Sequence, residues 1–477
     1  MSEITNFGLI VLIVSGAFVA ALGLSKLTEW FPVPAPALFL LASTIGTDFF
    51  PGLEHWLSIR DVERIGVVAL IVILFDGGMH VGWRRFRGAI VPISVLGILG
   101  TFGTAAVMAL AAHTFFDFGW TSAWIVGAAL APTDPAVMFS VLGNREVGGR
   151  AGTILEGESG ANDPVGIALM VGILDYASHA NGSVWLIARE FLVEMSVGLA
   201  IGLLGAFALL QLMQRMTLPG KGLYPIQTLA AAGVIYGVTS VAHGSGFLAV
   251  FIAGLVVGDA RAPYKGDIER FHISLANLGE IVVFAVLGLT VHVVTLGESN
   301  LWLDGLLLAL ILAFVARPAA TLPLLLPTRL RSNERIFLAW SGLRGATPVL
   351  LAAFAVLEGV NGANRIYGIV FIVVAFSVVV QGTSIPFVAA RLRIRMRPIE
   401  PPGIRRFVVA PGSRAAGETV RGLPIGERSW ITRIRREGGD LDFHATTPFE
   451  PGDVVDAVTD IEDVEGLRRL FEGVRSR

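Results

Sequence analysis

Two pairs of polar side chains lie on one otherwise apolar segment, 151–176, and their chemistry suits a small cation. Ser159 and Asp163 are four residues apart, and so are Glu158 and Asn162, which makes two neighbouring polar stripes on a helix. Asp163 and Ser159 could offer oxygens to one cation, while Glu158 and Asn162 could face a different partner. Hard oxygen ligands, without cysteine or paired histidines, favour an alkali ion or a proton over a transition metal. The segment therefore predicts a site for a monovalent cation or a proton.

Other acidic side chains in apolar segments are further candidates, because a carboxylate in the hydrocarbon region is costly and is functional by default. Asp134 has a structural alternative as a helix cap, since Thr133 and Pro135 flank it as they would a helix start. For Asp163 the structural alternative is the weakest, because an asparagine and a proline beside it have no packing rationale in a span. The acidic candidates are Asp76, Asp134, Glu156, Glu158 and Asp163.

Two of these acids have ionic alternatives near the membrane surface. Asp76 lies close in sequence to Arg84 and Arg85, so it could form an interfacial ion pair instead of contacting a transported ion. Glu156 could equally form a salt bridge at a helix end. For both residues the functional and the structural interpretations stay open.

A buried arginine also needs a partner. Of the basic residues in the later apolar segments, we place only Arg344 deep within the membrane, where an unpaired arginine would be expensive. Its partner must be a carboxylate, and either Glu158 or Glu280 is expected to supply it.

The composition places all these residues in a membrane protein. Hydrophobic residues make up 54% of the chain and charged residues 16%, and the mean hydropathy is +0.70. Charged residues approach about a quarter of an ordinary soluble domain. The formal net charge of −2 argues against a nucleic-acid partner. We therefore predict an all-α polytopic protein of a bacterial inner membrane, with lipid as its surroundings.

About thirteen transmembrane helices are predicted from the apolar stretches, each long enough to cross about 30 Å of hydrocarbon. Lysines and arginines concentrate on alternate loops, and positive loops face the cytoplasm. The amino terminus is therefore predicted outside and the carboxyl terminus inside, which requires an odd number of spans. The spans are 7–25, 32–49, 63–83, 88–112, 121–142, 151–176, 185–213, 226–243, 245–260, 273–295, 301–327, 335–357 and 364–390.

Two of these spans carry proline motifs at matching positions, once the seventh span is set aside as a connector. Residues 131–135 read Ala-Pro-Thr-Asp-Pro, and residues 345–348 read Gly-Ala-Thr-Pro. Pro135 and Pro348 lack the N–H that would close a helical turn, so they free backbone carbonyls. Paired interrupted helices of this kind indicate inverted repeats around a midplane transport site. The sequence therefore predicts two broken helices that meet at the site.

Three motifs in this order resemble the monovalent cation:proton antiporters, and specifically their electroneutral NhaP-like branch. The resemblance covers about residues 5–395, and the region 1–397 is expected to form the exchanger domain. Its motifs are Thr133-Asp134-Pro135, Glu158-Ser159-Gly160-Ala161-Asn162-Asp163 and Gly342-Leu343-Arg344-Gly345-Ala346. The resemblance also implies a homodimer, in which a six-helix core of each protomer moves like an elevator.

The resemblance also implies roles for individual residues. Asp163 is expected to carry cation and proton in turn, with Ser159, Asp134 and the backbone of Thr133 helping to hold the ion. Asn162 is expected to mark one-for-one exchange. The same resemblance implies that Glu158 and Arg344 form a structural ion pair, and that Asp76 lies near the ion path. The Ser-Gly-x-Asn-Asp-Pro pattern is closer to potassium–proton members, so both K⁺ and Na⁺ remain candidate cargo.

The chain after residue 400 changes character. Residues 401–477 are charged and glycine-rich, with strand-like alternation followed by an amphipathic helix, which predicts a small cytosolic α+β domain. This region resembles the TrkA-C domain, through motifs such as Gly412-Ser413 and Pro451-Gly452-Asp453. The resemblance implies dimerisation and a possible nucleotide ligand, although a domain that only stabilises the dimer is an alternative. No cofactor is expected.

Two other functions are alternatives to transport by an antiporter. A cation channel would need a selectivity-filter loop, and no Thr-Val-Gly-Tyr-Gly-like run occurs in the sequence. An intramembrane enzyme could use Asp134 and Asp163 as an acid–base pair, but repeat symmetry and broken helices have no role in such an enzyme. Transport by a secondary antiporter is therefore the favoured function.

Overall fold

A computed structural model describes most of the chain, and its described part is mainly helical with a small sheet near the carboxyl end. The predicted span 7–25 and the predicted loop after Thr295 lie largely outside the described residues. The structure describes residues 8, 15, 16, 19, 23, 34–49, 58–142, 145–178, 184–216, 218–260, 262, 264–291, 301–398, 403–425, 429–441, 443–459 and 461–473.

The described helices follow the predicted spans closely, because long apolar runs leave little choice of secondary structure in a membrane. The earlier helices are α1 (Ala35–Phe49), α2 (Ile59–Val81), α3 (Trp83–Gly88), α4 (Ile90–Phe115), α5 (Trp120–Leu130), α6 (Pro135–Leu142), α7 (Gly149–Ser178) and α8 (Val184–Arg215). The later helices are α9 (Leu223–Val241), α10 (Gly246–Gly258), α11 (Lys265–Gly288), α12 (Leu301–Leu325), α13 (Ser332–Trp340), α14 (Ala346–Leu357) and α15 (Ala363–Arg391).

Within the described residues, six helices are long and apolar enough to cross a membrane. They are α2, α4, α8, α11, α12 and α15. Four shorter apolar segments accompany them, in α1, α5, α10 and α14. The helical fold is confirmed, while the total of thirteen spans stays a prediction.

Helices α2 and α10 pack closely through glycines. A Cβ on Gly254 would collide with the Phe75 carbonyl, and a Cβ on Gly78 would lie 2.5 Å from the Phe251 carbonyl. Small residues let helix backbones approach in a membrane, where packing replaces the hydrophobic drive between helices. This contact holds α2, the helix that carries Asp76, against α10.

Three of the long helices contain a π-helical turn near their middle. The turns lie at Leu96–Gly100 in α4, at Leu312–Ala316 in α12 and at Ser377–Gln381 in α15. A π turn widens the helix and leaves backbone groups out of the regular ladder, and such turns often occur at functional sites. Each π turn is therefore a candidate position for polar contacts with neighbouring helices.

The chain divides into two compact units. The first contains 1–206, 230–258 and 273–397, and the second contains 207–229, 259–272 and 398–477. The first unit also holds a short strand, β1 (Arg145–Val147), which pairs with β2 (Met396–Pro398).

The second unit contains a four-stranded antiparallel sheet covered by one helix. Its strands are β3 (Gly403–Val408), β4 (Trp430–Arg436), β5 (Gly439–Leu441) and β6 (Val454–Thr459), in the order β3-β6-β4-β5, and its helix is α16 (Ile461–Glu472). Phe407, Ile434, Val455 and Phe471 are buried in its core. The predicted α+β fold of this region is confirmed.

An ion pair holds the sheet to the turn before β6. Arg436 donates to Asp453 at 2.8 Å, and the Glu450 N–H donates to the same carboxylate at 2.9 Å. Burial by itself raises the pKa of Asp453, but these hydrogen bonds and the charge of Arg436 together hold its pKa below the usual value. Asp453 is therefore ionised at neutral pH and stabilises the folded tail.

Candidate functional site

Two helices are interrupted where the proline motifs predict it. Residues 131–134 separate α5 from α6, and residues 341–345 separate α13 from α14. Pro135 begins α6, a position where its missing N–H leaves no intrahelical bond unmade. The Asp134 N–H donates to the Leu343 carbonyl at 2.8 Å. The two unwound segments therefore meet, and backbone groups freed by one break are satisfied by the other.

A glycine permits this close approach. A Cβ on Gly345 would collide with the side chain of Asp134, whose backbone is already fixed by its bond to Leu343. Any larger residue at position 345 must separate the two segments or turn Asp134 away from its place.

Gly345→Ala is therefore expected to abolish ion exchange and to lower the thermal stability of the purified protein. Gly237→Ala is the matched control, because a Cβ on Gly237 meets nothing within 4 Å and alanine favours the helix. Thermal unfolding in detergent and proton flux in vesicles measure the two effects. A Gly345→Ala protein with the stability and flux of the Gly237→Ala protein would contradict this geometry.

The first unwound segment is held by α7. Asn162 donates through Nδ2 to the Thr133 hydroxyl at 2.7 Å and accepts from the Thr133 N–H at 3.3 Å. The hydroxyls of Thr133 and Ser159 are 3.2 Å apart. All three side chains are buried, so these contacts replace hydration. The sequence places Ser159 and Asn162 on neighbouring stripes of one helix, and the structure brings both side chains to Thr133.

Asp163 lies on the same helix, buried to 7% exposure. Its Oδ1 has no hydrogen-bond partner among the described residues, and Thr347, at the start of α14, lies beside the carboxylate. Asp134 and Arg344 are the charged groups that act on it. A buried carboxylate oxygen without a donor is unfavourable when charged, unless a cation or a proton binds it. Asp163 is therefore the group in this cluster best suited to bind either one.

In the structure Glu158 is paired with Arg317 and not with Arg344, the partner that the resemblance implies. The Arg317 Nη2 and Glu158 Oε1 atoms are 2.6 Å apart, and both side chains are almost completely buried. A Cβ on Gly342 would collide with the Arg317 guanidinium, so glycine makes room for it. The pair links α7 to α12 beside the unwound segment before α14.

Arg344 instead binds the backbone of its own broken helix. Its Nη1 donates to the Gly342 carbonyl at 3.0 Å, and its N–H donates to the Ser377 hydroxyl at 2.9 Å. Within the described residues its Nε and Nη2 have no hydrogen-bond partner. Glu158 and Asp163 are close enough to act on its charge. Arg344 therefore supplies a positive charge near Asp163 without pairing with either predicted acid.

Arg317 was not among the predicted residues, although its signal is present in the sequence. It is the one charged residue between Gly305 and Pro327, deep inside an apolar stretch. The depth of a basic residue within a span points to a partner in the same way as an intramembrane acid does. The π turn just before Arg317 gives a second signal, but only the structure shows it.

The remaining acidic candidates lie in different surroundings. Glu156 is buried on α7 and its Oε2 lies 3.3 Å from Arg85, which is the helix-end salt bridge that the sequence allowed. His80 and Glu146 have ligand atoms near the same carboxylate. Since Arg85 already pairs with Glu156, the cluster resembles a partly buried charge network more than a metal site.

Asp76 and Glu280 are both half-buried. Asp76 lies near the end of α2, and its contribution to the ion path stays a prediction. Glu280 lies on α11, and Asp134 is the charged group that acts on it. Glu280 forms no salt bridge with Arg344 in the described part of the chain.

Comparison with known proteins decides the family. Residues 13–391 match the sequence profile described as the transmembrane sodium/hydrogen exchanger. The chain belongs to the sodium/hydrogen exchanger family. Residues 404–472 of this exchanger also match the TrkA-C domain, as the sequence predicted. Members of this family are secondary transporters, so the alternative of an intramembrane enzyme is set aside.

Named relatives cover most of the exchanger. The K(+)/H(+) antiporter NhaP of Alkalimonas amylolytica is 33% identical over 390 residues, which are 81% of this chain and 67% of the relative. The K(+)/H(+) antiporter NhaP2 of Shewanella sp. (strain ANA-3) is 30% identical over 475 residues, which are 96% of this chain and 82% of the relative. The fold is similar to that of the sodium proton antiporter MjNhaP1 of Methanocaldococcus jannaschii, with a TM-score of 0.70 and 22% sequence identity. The match covers 81% of this chain and 99% of MjNhaP1.

Proposed function

We propose that this exchanger moves one monovalent cation across the membrane for one proton moved in the opposite direction. The observation that carries the proposal is Asp163, a buried carboxylate beside the meeting point of two broken helices, one of whose oxygens has no hydrogen-bond partner among the described residues. One carboxylate that binds either a cation or a proton, but not both, couples the two movements. The oxygens of Ser159, Asp134 and the Thr133 backbone complete the proposed cation site.

The proposed stoichiometry rests on Asn162. Its amide is neutral, and both its oxygen and its nitrogen are engaged by Thr133. In this cluster Asp163 is then the one group on α7 that alternates between a proton and a cation. The bound site carries the same charge with either ligand, so exchange is electroneutral and alternates between the two sides of the membrane.

The proposed cation is K⁺. The relatives with at least 30% identity described above are named K(+)/H(+) antiporters, whereas the similar fold of MjNhaP1 belongs to a sodium proton antiporter. The Ser-Gly-x-Asn-Asp-Pro pattern around Asp163 favours the potassium members. Transport of Na⁺ by the same oxygen ligands is the second candidate, because both ions prefer hard oxygen donors.

The remaining parts of the proposal concern the assembly and the tail. We place the exchanger in a bacterial inner membrane as a homodimer, with its amino terminus outside and residues 401–477 in the cytoplasm. The TrkA-C domain is proposed to regulate exchange. A nucleotide ligand for this domain rests on resemblance to its family alone.

Purified protein in vesicles that contain a pH-sensitive dye tests the cation and the stoichiometry together. Adding K⁺, Na⁺ or Li⁺ chloride in turn is expected to give the largest proton flux with K⁺. Valinomycin-clamped potentials are expected to leave the balance point of the gradients unchanged, since no net charge moves. One elementary charge across 100 mV corresponds to about 2.3 kcal/mol, so an electrogenic cycle would shift that balance visibly.

Each part of this proposal has its own contrary result. A balance point that follows the imposed potential would exclude one-for-one exchange. A larger flux with Na⁺ than with K⁺ would reverse the cation assignment. No cation-dependent flux, from protein that is folded and inserted, would contradict antiport itself.

A further inference from the structure

Two polar side chains lie unexpectedly in the middle of α15. Ser377 and Gln381 are 2% and 5% exposed, and they begin and end the π turn Ser377–Gln381. Polar groups inside a membrane helix need partners, because neither lipid nor water satisfies them there. The π turn changes the direction of the following residues on the helix, and this lets both side chains reach a neighbouring element.

That neighbouring element is the second unwound segment. Gln381 donates through Nε2 to the Trp340 carbonyl at 2.8 Å, at the end of α13. The Ser377 hydroxyl accepts from the Arg344 N–H at 2.9 Å and donates to Gln381 Oε1 at 3.0 Å. The two side chains therefore bind the last backbone carbonyl of α13 and a backbone N–H near the end of 341–345, and they are linked to each other.

The first unwound segment is held in a similar way. There Asn162 of α7 uses both atoms of its amide to bind Thr133. In the predicted repeats, α7 is the sixth span of the first half and α15 is the sixth span of the second. Each break is thus held by a buried amide from the last helix of its own half.

We propose that Ser377 and Gln381 are positioning residues for the cation site. They fix 341–345 so that the Leu343 carbonyl meets Asp134 and Thr347 lies beside Asp163. Neither residue touches the ion. This inference rests on the proposed cation:proton exchange, and it extends that function to a helix on which the sequence indicated no site residue.

Loss of either side chain leaves a backbone group in or next to the segment without its partner. The segment then gains freedom to shift, and the oxygens around Asp163 lose their fixed spacing. Cation binding depends on that spacing, whereas the movement of the loaded carrier does not. The expected effect is therefore on the apparent KM for the cation, with the maximum rate largely kept.

Gln381→Met and Ser377→Ala test this directly. Methionine keeps the volume of glutamine without its amide, and alanine removes a single oxygen atom. Each variant is expected to raise the KM for K⁺ in vesicles about fivefold to tenfold, the size of effect of one lost hydrogen bond, with the maximum rate within about twofold. Ser377→Thr keeps the hydroxyl and is expected to restore the KM.

Matched controls separate positioning from general destabilisation. Gln227→Met removes a glutamine on α9 whose amide atoms have no hydrogen-bond partner among the described residues. Thr383→Ala removes a hydroxyl on α15 that bonds the Val379 and Val380 carbonyls of its own helix. Both controls are expected to keep the wild-type KM.

The possible failures are distinguishable. A wild-type protein without cation-dependent proton flux contradicts the proposed function. Wild-type exchange, with an unchanged KM in both Gln381→Met and Ser377→Ala, overturns only the inference about α15. A fall in maximum rate with an unchanged KM also overturns it. If Gln381→Met does not fold, the KM values of Ser377→Ala and Ser377→Thr decide whether the inference holds.

Discussion

Asp163→Asn is expected to reduce cation-driven proton flux to the level of protein-free vesicles while the protein stays folded. The amide has nearly the same shape as the carboxyl group but cannot release a proton or neutralise a cation. In the described part of the chain one oxygen of this buried carboxylate has no hydrogen-bond partner, so removing its charge removes a desolvation cost, and thermal stability should be equal or higher. Dye dequenching after a K⁺ pulse, with thermal unfolding in detergent, measures both effects.

Asp175→Asn is the matched control for this change. Asp175 lies on the same helix, α7, near its carboxyl end, and is half-buried. Its replacement is expected to leave K⁺-driven flux within about twofold of the wild type. Wild-type flux in the Asp163→Asn protein would exclude Asp163 as the residue that carries the cation and the proton. Asp134 would then be the next candidate.

The second large effect concerns the buried ion pair between Glu158 and Arg317. Removing one partner of such a pair leaves the other charge buried and alone, at a cost of about 3–5 kcal/mol. Glu158→Ala and Arg317→Ala are each expected to lower the unfolding temperature strongly. The double variant is expected to recover part of that loss, because neither charge is then left unpaired.

The two single losses should not be equal. Arg344 is close enough to act on Glu158, so it partly compensates this carboxylate when Arg317 is removed. Removing Glu158 leaves two buried arginines near each other. Glu158→Ala is therefore expected to be the more destabilising change, and the opposite order would contradict this arrangement of charges.

A second ion pair provides the control. Arg365 and Asp304 are 2.9 Å apart, but their side chains are 39% and 27% exposed. Their double-mutant cycle is expected to give a coupling of about 1 kcal/mol or less, since solvent screens exposed pairs. Strictly additive losses for Glu158 and Arg317 would show that these two residues are not partners in the folded protein.

The position of the two breaks could be predicted from the sequence because their causes are local. Pro135 cannot donate to the preceding turn, and the glycines and proline of 342–348 disfavour a continuous helix. In the structure α6 begins at Pro135, and α14 begins at Ala346, with Pro348 in its first turn. Local chemistry does not say that Asp134 meets Leu343, because that contact joins two spans far apart in the chain.

The partner of Glu158 could not be predicted in the same way. The helical period places Glu158 on a different face from Asp163, but it does not say which helix lies opposite that face. Arg317 and Arg344 were both compatible with the sequence. In the folded protein Arg317 on α12 reaches Glu158 on α7, whereas Arg344 binds the backbone of its own break.

By itself the sequence determined that this protein lies in a lipid bilayer and where its helices run. It also determined the two breaks and the acidic residues beside them. Each of these follows from hydrophobic length or from the covalent limits of proline, which act within a few residues. Tertiary structure alone decided which polar groups satisfy one another. Asn162 binds Thr133, and Ser377 and Gln381 bind backbone groups in and just before 341–345, because buried groups must be paired and only the packed helices fix which partners lie within reach.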